Sequence, residues 1–513
     1  MTERADAKSF VAVDLGASCG RIVRGRFAEE HFEFDEVHRF PNEMQREPGS
    51  ATLRWSTREL FAQIREGLNR IGRSALSGGS DPRDVKVKSL GVDTWGVDYG
   101  LFDGNGRLLE EPIAYRDPRT DGIAERVFEI VSREEIYRAT GIQTLPINTL
   151  FQLYAHVHGA NWPAGAARLL TMPDLFHQLL CGSDSGEYTH ATTTQLIRLE
   201  TRDWDRDLCR RLGIPASILP RLVLPGSSLA PLRPELQRET GLEGCEVVAV
   251  ATHDTASAVA GTPLSDGVAF ISSGSWSLVG VELPEPIVTP ESLRENFTNE
   301  GGVGGTIRFL KNVTGMWILE GCKKAWREAG NGAGRDLSWD ELEREIARAP
   351  AWAGVIAPDD PLFFNPVDMH AAVRQFLRET QQPAPEKPGA IARLVLESLA
   401  LRYADVVETM VQLTGRPLTA LRIFGGGSKH DFLNQATADL TGLEVLAGPA
   451  EATAIGNLLV QAVAAGRFRD LAEGRAYVAH MLPAKHFVPR AARGGAALLG
   501  RFRRIAALRV AHR

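Results

Sequence analysis

A short apolar run that ends in Asp-Leu-Gly and then turns back on itself restricts this fold more than any other feature of the chain. Phe10-Val-Ala-Val13 is compact and β-forming, and Asp14-Leu-Gly-Ala-Ser-Cys-Gly20 is a turn of small residues. Arg21-Ile-Val-Arg-Gly-Arg-Phe27 follows; β-branched Ile22 and Val23, with Gly25 inside the run, make it a second strand rather than a helix. The unit returns half a chain later, as Val268-Ala-Phe-Ile271, the turn Ser272-Ser-Gly-Ser275 and the strand Trp276-Ser-Leu-Val-Gly-Val281. Two strand–turn–strand units in one chain point to a duplicated domain. Short β-rich runs alternate with longer helical patterns through most of the rest, so the fold class is α/β.

The chain has 513 residues, enough for two large domains or three smaller ones. Lys88-Ser-Leu-Gly-Val92 leads into Asp93-Thr-Trp-Gly96 and the run Val97–Phe102. Glu246–Ala251 has the composition of a buried strand, and Thr255–Ala260 starts a helix that Gly261-Thr-Pro263 breaks. The domain boundary falls there, giving domains 1–260 and 261–513. Later, Leu421-Arg-Ile-Phe424 precedes Gly425-Gly-Gly427 and a helix from about Asp431, while Gln381–Pro388 is a surface loop.

A net charge of −6 leaves no footprint for bulk nucleic-acid binding. The average conceals a basic end: from Gly474 onward there are nine Lys or Arg and no acidic residue. There Leu498, Leu499, Phe502, Ile505 and Ala506 recur at helical spacing, with Arg501, Arg503, Arg504 and Arg509 mostly on other faces. An amphipathic helix docked on the acidic remainder is expected; a membrane-surface or nucleic-acid patch is the alternative. Five widely spaced cysteines without a CxxC exclude a zinc ribbon or disulfide scaffold by local spacing and suit a reducing compartment. The stretch Met1–Phe10 is charged and lacks the apolar core of a signal peptide, and no apolar run approaches the ~20 residues needed to cross a bilayer. A cytoplasmic protein with neither nucleic-acid nor membrane partners is expected. Oligomeric state is not legible.

Several motifs are missing: there is no P-loop, no G-x-G-x-x-G after a strand and no H-E-x-x-H. His156 and His158 have no third ligand nearby and read as surface structural residues. Gly16-Ala-Ser-Cys-Gly20 fits a nucleophile elbow with Ser18 as the nucleophile, but that elbow needs a helix where Arg21–Phe27 reads as a strand. The same turn suits phosphate, because small residues let successive backbone N–H groups approach oxygen closely. Asp14, at the end of the strand, can hold Mg²⁺ through water, and Ser272–Ser275 can serve phosphate from the second domain. In His253-Asp254-Thr255 the carboxylate can accept a proton from a hydroxyl nucleophile, or it can simply cap the following helix. Gly425-Gly-Gly427 suits close approach to a nucleoside, and a plain tight turn equally.

Taken together, these segments resemble the FGGY carbohydrate kinases from about Phe10 to about His480. The stretches that carry the resemblance are Val11–Ala17, Gly91-Val-Asp-Thr-Trp-Gly-Val-Asp98, Ala114-Tyr-Arg-Asp117, Ala191-Thr-Thr-Thr-Gln195, His253–Val259, Thr298-Asn-Glu-Gly-Gly302 and Gly425-Gly-Gly427. The resemblance implies two actin-like (ribonuclease-H-like) ATPase domains with a cleft between them, the first binding sugar and the second nucleotide. It implies transfer of the ATP γ-phosphate to the 1-hydroxyl of L-rhamnulose, with another ketose such as L-fuculose or xylulose as the alternative. It makes Asp254 the general base, Gly96, His253, Thr255 and Asn312 sugar contacts, and Asp14 the Mg²⁺ anchor. Ala17, Ser18, Cys19, Gly20 and Arg21 become the first phosphate turn, Ser275 the second, and Gly426 part of the nucleotide turn.

Three positions depart from the family pattern. Cys19 stands where the turn commonly has a second Ser, and a thiol is the weaker hydrogen-bond partner. Ser275 replaces the usual Thr and keeps the hydroxyl. Glu320 occupies a position near the nucleotide where the family can have Gln, and a carboxylate there repels phosphate. From other classes, a serine esterase using Ser18 and a catalytically silent sugar-binding regulator compete with the kinase.

Overall fold

Every residue of Ser9–Leu15 is buried, as in a strand covered on both faces, and this run is β1, the centre of a six-stranded sheet. The computed structural model describes residues 8–47, 49–76, 86–328, 337–490 and 494–511. On one side β1 pairs antiparallel with β2 (Cys19–Phe27), which pairs antiparallel with β3 (Phe32–Pro41). On the other side β1 runs parallel to β4 (Val87–Thr94), β4 runs parallel to β6 (Glu246–Ala249), and β5 (Ser227–Pro231) closes that edge. A second sheet repeats the plan. Its central β7 (Val268–Ser273) pairs antiparallel with β8 (Trp276–Leu283), and β9 (Ile307–Thr314) lies beyond β8. On the far side β7 runs parallel to β10 (Ala420–Phe424) and β10 to β11 (Glu444–Ala447), with β12 (Lys485–Phe487) antiparallel at the edge. The repeat read in the sequence is therefore a repeat of topology, and the α/β class is as expected.

The packed units depart from a single division at 260/261. One compact unit comprises residues up to Pro263 together with Glu282–Phe309 and Ala452–Leu482; the other comprises Leu264–Val281, Leu310–Glu451 and the chain from Pro483. The physical reason lies in two glycines. Helix α1 (Asp254–Ala260) ends against a helix from the last quarter of the chain, Ala452–Ala464, at Gly261 and Gly456. A β-carbon on Gly456 would lie 1.7 Å from the Ser257 carbonyl oxygen, so no other residue lets these backbones approach. The late helix then buries Ile455, Leu458 and Leu459 with Phe10, Val23 and Phe27 of the first sheet. Burial of that apolar face removes it from water and draws the segment into the first unit.

In the second unit, α2 (Trp317–Glu328), α3 (Pro388–Thr414) and α4 (Asp431–Thr441) precede the late helix, which is α5, and the basic C-terminal helix is α6 (Gly495–Ala511). α6 docks on its own unit: Phe502 and Ile505 are buried, Arg503 Nε donates to Asp405 Oδ1 at 2.7 Å, and Arg509 Nε donates to Asp360 Oδ2 at 2.8 Å. Arg503 and Arg509 are thus engaged with acidic partners, as the docked-helix expectation requires, while Arg501 donates to the Trp352 carbonyl and to Gln382 Oε1. Arg493 and Arg513 of the basic end, and Met1–Ala7 of the charged N-terminal stretch, lie outside the described residues. Among the described residues no helix is long and apolar enough to cross a membrane, and all five cysteines are free thiols.

Candidate active site

The first hairpin brings Asp14 and Arg21 into direct opposition across β1 and β2, where they form an ion pair. Gly16 N–H donates to the Cys19 carbonyl at 2.9 Å and closes the turn, and Asn42 secures it by donating Nδ2 to the Gly16 carbonyl at 2.8 Å. Ser18 is exposed at the tip, with Ala17 and Cys19 partly buried beside it. Because β2 begins at Cys19, the strand-to-helix elbow required for a Ser18 nucleophile is absent, and the esterase reading loses its geometry.

On β4, Asp93 stands beside Asp14 in register. Paired residues on neighbouring parallel strands project to the same face, so two carboxyl groups share one fully buried environment. Burial first, and then the Asp14 charge, hold the Asp93 carboxyl well above the usual carboxylate range; a hydrogen bond from Asn457 opposes them. The Oδ1 atom of Asp93 has no hydrogen-bond partner. Its other oxygen ends a buried chain from α5: Ser89 Oγ donates to Gln461 Oε1 at 2.7 Å, Gln461 Nε2 to Asn457 Oδ1 at 2.7 Å, and Asn457 Nδ2 to Asp93 Oδ2 at 2.6 Å.

Asp254 opens α1 just beyond the end of β6, on the side of the sheet where α/β folds place ligands. The cap of this helix is His253, so the capping alternative for Asp254 fails; Asp254 is the first helical residue, where the dipole favours an anion. Its Oδ1 accepts a hydrogen bond from Thr255 Oγ1 at 3.1 Å. The side chain remains 31% exposed, which leaves it reachable by a ligand. Desolvation by surrounding protein and then, against the pull of His253, the Asp14 charge raise its pKa.

Next to it, His253 Nε2 lies 3.4 Å from Asp254 Oδ1, and a β-carbon on Gly96 would sit 3.2 Å from the same nitrogen. Gly96 is followed by Val97 at φ 69, a strained conformation for a β-branched residue. Thr149 Oγ1 holds it there by donating to the Val97 carbonyl at 2.6 Å, and Thr193 Oγ1 accepts from Val97 N–H at 3.4 Å. Behind His253, buried Glu187 ties the loop down, accepting from Thr252 N–H at 3.1 Å and Thr252 Oγ1 at 2.8 Å.

In the second unit, the Ser275 turn and the Gly425–Gly427 turn meet at the C-terminal ends of the neighbouring parallel strands β7 and β10. The contact is intimate: a β-carbon on Gly427 would lie 1.9 Å from Ser273 Oγ, and Gly425 has φ 79. Gly426 is exposed at the apex. The Ser275 carbonyl accepts from Gly315 N–H at 3.0 Å, which fixes the turn against the start of α2. Asn312 lies on β9 in this unit, and Glu320 is exposed in the first turn of α2.

The first unit therefore brings together Asp14, Arg21, Gly96, His253, Asp254 and Thr255, and the second brings Ser275 beside Gly426. Reading the sequence missed Asp93, beside Asp14, and the buried pair Glu300 and Arg308, whose guanidinium lies 3.2 Å from His253 Nδ1. Asp93 and Glu300 lie inside distinctive stretches, and an acidic residue in an otherwise buried run was the signal. Asn457 and Gln461 carry no local signal at all. His156 is not the surface residue expected: it is buried, with Nε2 3.1 Å from Glu110 Oε1. Among the described residues, no group of three or more His, Cys, Asp or Glu side chains could hold a metal by itself.

Residues 10–261 match the model of the FGGY family of carbohydrate kinases, N-terminal domain, and residues 269–465 match that of its C-terminal domain. A rhamnulokinase of Bacteroides thetaiotaomicron is 42% identical over 485 residues, 94% of this chain and 96% of that protein. Rhamnulokinases of Enterococcus faecalis and Bacillus subtilis are 39% and 37% identical, each over 94% of this chain and over 94% and 95% of their own. Among solved structures, a ligand-bound xylulose kinase from Lactobacillus acidophilus aligns over 98% of both chains with a TM-score of 0.79 at 15% identity. Plasmodium falciparum glycerol kinase with ADP aligns over 98% of both with a TM-score of 0.73 at 16% identity. These two share the fold.

Proposed function

This chain belongs to the FGGY family of carbohydrate kinases, and from that premise we propose that it transfers the γ-phosphoryl group of ATP to the 1-hydroxyl of L-rhamnulose. The observation that carries the reading is Asp254: a carboxylate at a helix N-terminus, reachable from solvent, beside His253, Thr255 and Gly96. The rhamnulokinases matched over nearly the whole chain support the choice of sugar.

In this reading Asp254 accepts the proton of the sugar hydroxyl as its oxygen attacks the γ-phosphorus. A sugar hydroxyl is a weak acid, and a positioned base is worth ~10²–10⁴-fold. Gly96, His253 and Thr255 orient the sugar. The small-residue turn Ala17–Arg21 receives phosphate oxygens, and Ser275 and Gly426 serve the nucleotide from the second unit. Phosphoryl transfer asks mainly for alignment and neutralised charge, and Arg21 brings a fixed positive charge to the first turn. Exclusion of water matters, because ATP hydrolysis competes with transfer.

Mg²⁺ fits the donor set: the oxygens of Asp14 and the unpartnered Oδ1 of Asp93 are hard ligands, and Mg²⁺ characteristically takes one or two carboxylates with substrate phosphates. When bound it supplies neutralisation of the phosphate charge. Asp14 would hold it through water.

The test is ADP release with Mg²⁺ and ATP, with and without L-rhamnulose, beside a panel of ketoses. Strong stimulation by L-rhamnulose alone is expected. Stimulation by L-fuculose or xylulose instead would move the substrate and keep the mechanism; no stimulation by any sugar would overturn the kinase reading.

A further inference from the structure

Arg308 is a cation with no exposed surface, and it reaches the back of His253. Its Nε donates to the Gly301 carbonyl at 3.0 Å, Nη1 pairs with Glu300 Oε2 at 3.0 Å, and the same Nη1 lies 3.2 Å from His253 Nδ1. A guanidinium has five N–H donors and no acceptor. The contact with His253 is therefore a hydrogen bond in one direction, with Nδ1 as the acceptor. A nitrogen that accepts carries no hydrogen, so the ring hydrogen sits on Nε2. That nitrogen is the one 3.4 Å from Asp254 Oδ1 and next to Gly96.

The other groups around the ring agree. Glu300 Oε2 lies 3.5 Å from Nδ1, farther than Arg308, and its charge is already engaged by the guanidinium. His190 meets the His253 ring edge-on, with centroids 5.9 Å apart, and competes for neither nitrogen through a hydrogen bond. The opposite tautomer would set an Nδ1 hydrogen against an Arg308 N–H and leave Nε2 an acceptor against the Asp254 carboxylate.

We propose that Arg308 is a positioning residue that fixes His253 in the Nε2–H tautomer, making it a hydrogen-bond donor to a sugar oxygen beside Asp254 and leaving proton acceptance to Asp254 alone. The sugar half of this statement rests on the kinase reading; the tautomer half does not. A sugar carbonyl or ring oxygen can only accept, so binding it requires a donor at Nε2. Arg308 thereby selects oxygen acceptors without touching the substrate.

The experiment is ¹⁵N NMR of the histidine-labelled full chain, with His253→Gln used to assign the signal. The expected spectrum has a pyrrole-type Nε2 and a pyridine-type Nδ1. Arg308→Lys, which keeps a donor, retains that pattern and a sugar KM near the wild-type value. The double variant Arg308→Met with Glu300→Leu removes both charges, leaves no buried carboxylate unpaired and places no amide donor beside Nδ1. It shifts the tautomer toward Nδ1–H and raises the sugar KM by about tenfold, with the ATP KM unchanged. A pyrrole-type Nδ1 in the wild type overturns the proposal, as does a double variant whose tautomer is unchanged. If the double variant does not fold, the wild-type and Lys spectra decide. Should the tautomer be as stated while no sugar stimulates ADP release, the kinase reading falls and the assignment of Arg308 stands.

Discussion

Asn457, on a helix of the last quarter of the chain, donates its Nδ2 to Asp93 Oδ2 at 2.6 Å and so holds a carboxyl group that stands beside Asp14 in the first sheet. The same amide donates to the Gly91 carbonyl at 3.1 Å and accepts from Gln461. All of these groups are buried, where a lost partner costs the full desolvation of the one left behind. Asn457→Leu is expected to destabilise the protein by about 3 kcal/mol, measured as a fall in the urea midpoint at unchanged slope. A change below about 0.5 kcal/mol would show that the network adds nothing to stability.

Asp254 carries the chemistry in the proposed reaction. Asp254→Asn keeps the shape and loses the base, so turnover should fall by ~10²–10⁴-fold while sugar affinity, read by calorimetry, stays within a few-fold. Turnover within tenfold of the wild type would remove Asp254 as the base.

The pH profile follows from the surroundings of that carboxylate. Burial, and then the charge of Asp14, raise its pKa above the usual value, and only the ionised form accepts a proton. The rate kcat/KM for the sugar should therefore fall, as pH is lowered, through a midpoint above the ~3.9 of a free aspartate. An acid limb at or below that value would contradict the role given to burial.

Stability should respond to pH through a different group. Asp98 is fully buried and accepts from Trp55 Nε1 at 2.6 Å and Trp95 Nε1 at 2.9 Å, yet burial raises its pKa to about 6. The folded protein then binds this proton more tightly than the unfolded chain does. The corresponding stability is fully present below about pH 4 and is lost as pH rises through 6, a change of about 3 kcal/mol. Denaturation of the wild type and Asp98→Asn at pH 4 and pH 7 checks this: the difference between them should shift by that amount, and a constant difference contradicts it.

The basic C-terminal helix is expected to act as a structural element of the second unit. Phe502 is buried, and Phe502→Ala should cost about 3 kcal/mol. Deletion from Gly494 should lower the melting temperature. Unchanged stability together with lost retention on anionic vesicles would instead support a membrane patch.

Local chemistry determined much of this protein. β-Branched Ile22 and Val23 made a strand of the segment after Gly20, small residues made the turn, and the repeat of that unit at Val268–Val281 foretold two sheets of one topology. Asp14, His253 and Asp254 were legible because polar residues at the ends of apolar runs must sit at sheet ends. The tertiary structure decided the rest. Close backbone contact at Gly261 and Gly456, together with burial of its apolar face, recruits α5 to the first unit, and with it Asn457 and Gln461, more than 360 residues from the strands they serve. Glu300 and Arg308, from strands about 50 residues further along the chain, likewise meet His253 only in the folded structure. Hydrogen bonds and desolvation act over a few ångströms in space, and separation along a chain carries no information about which distant side chains will meet.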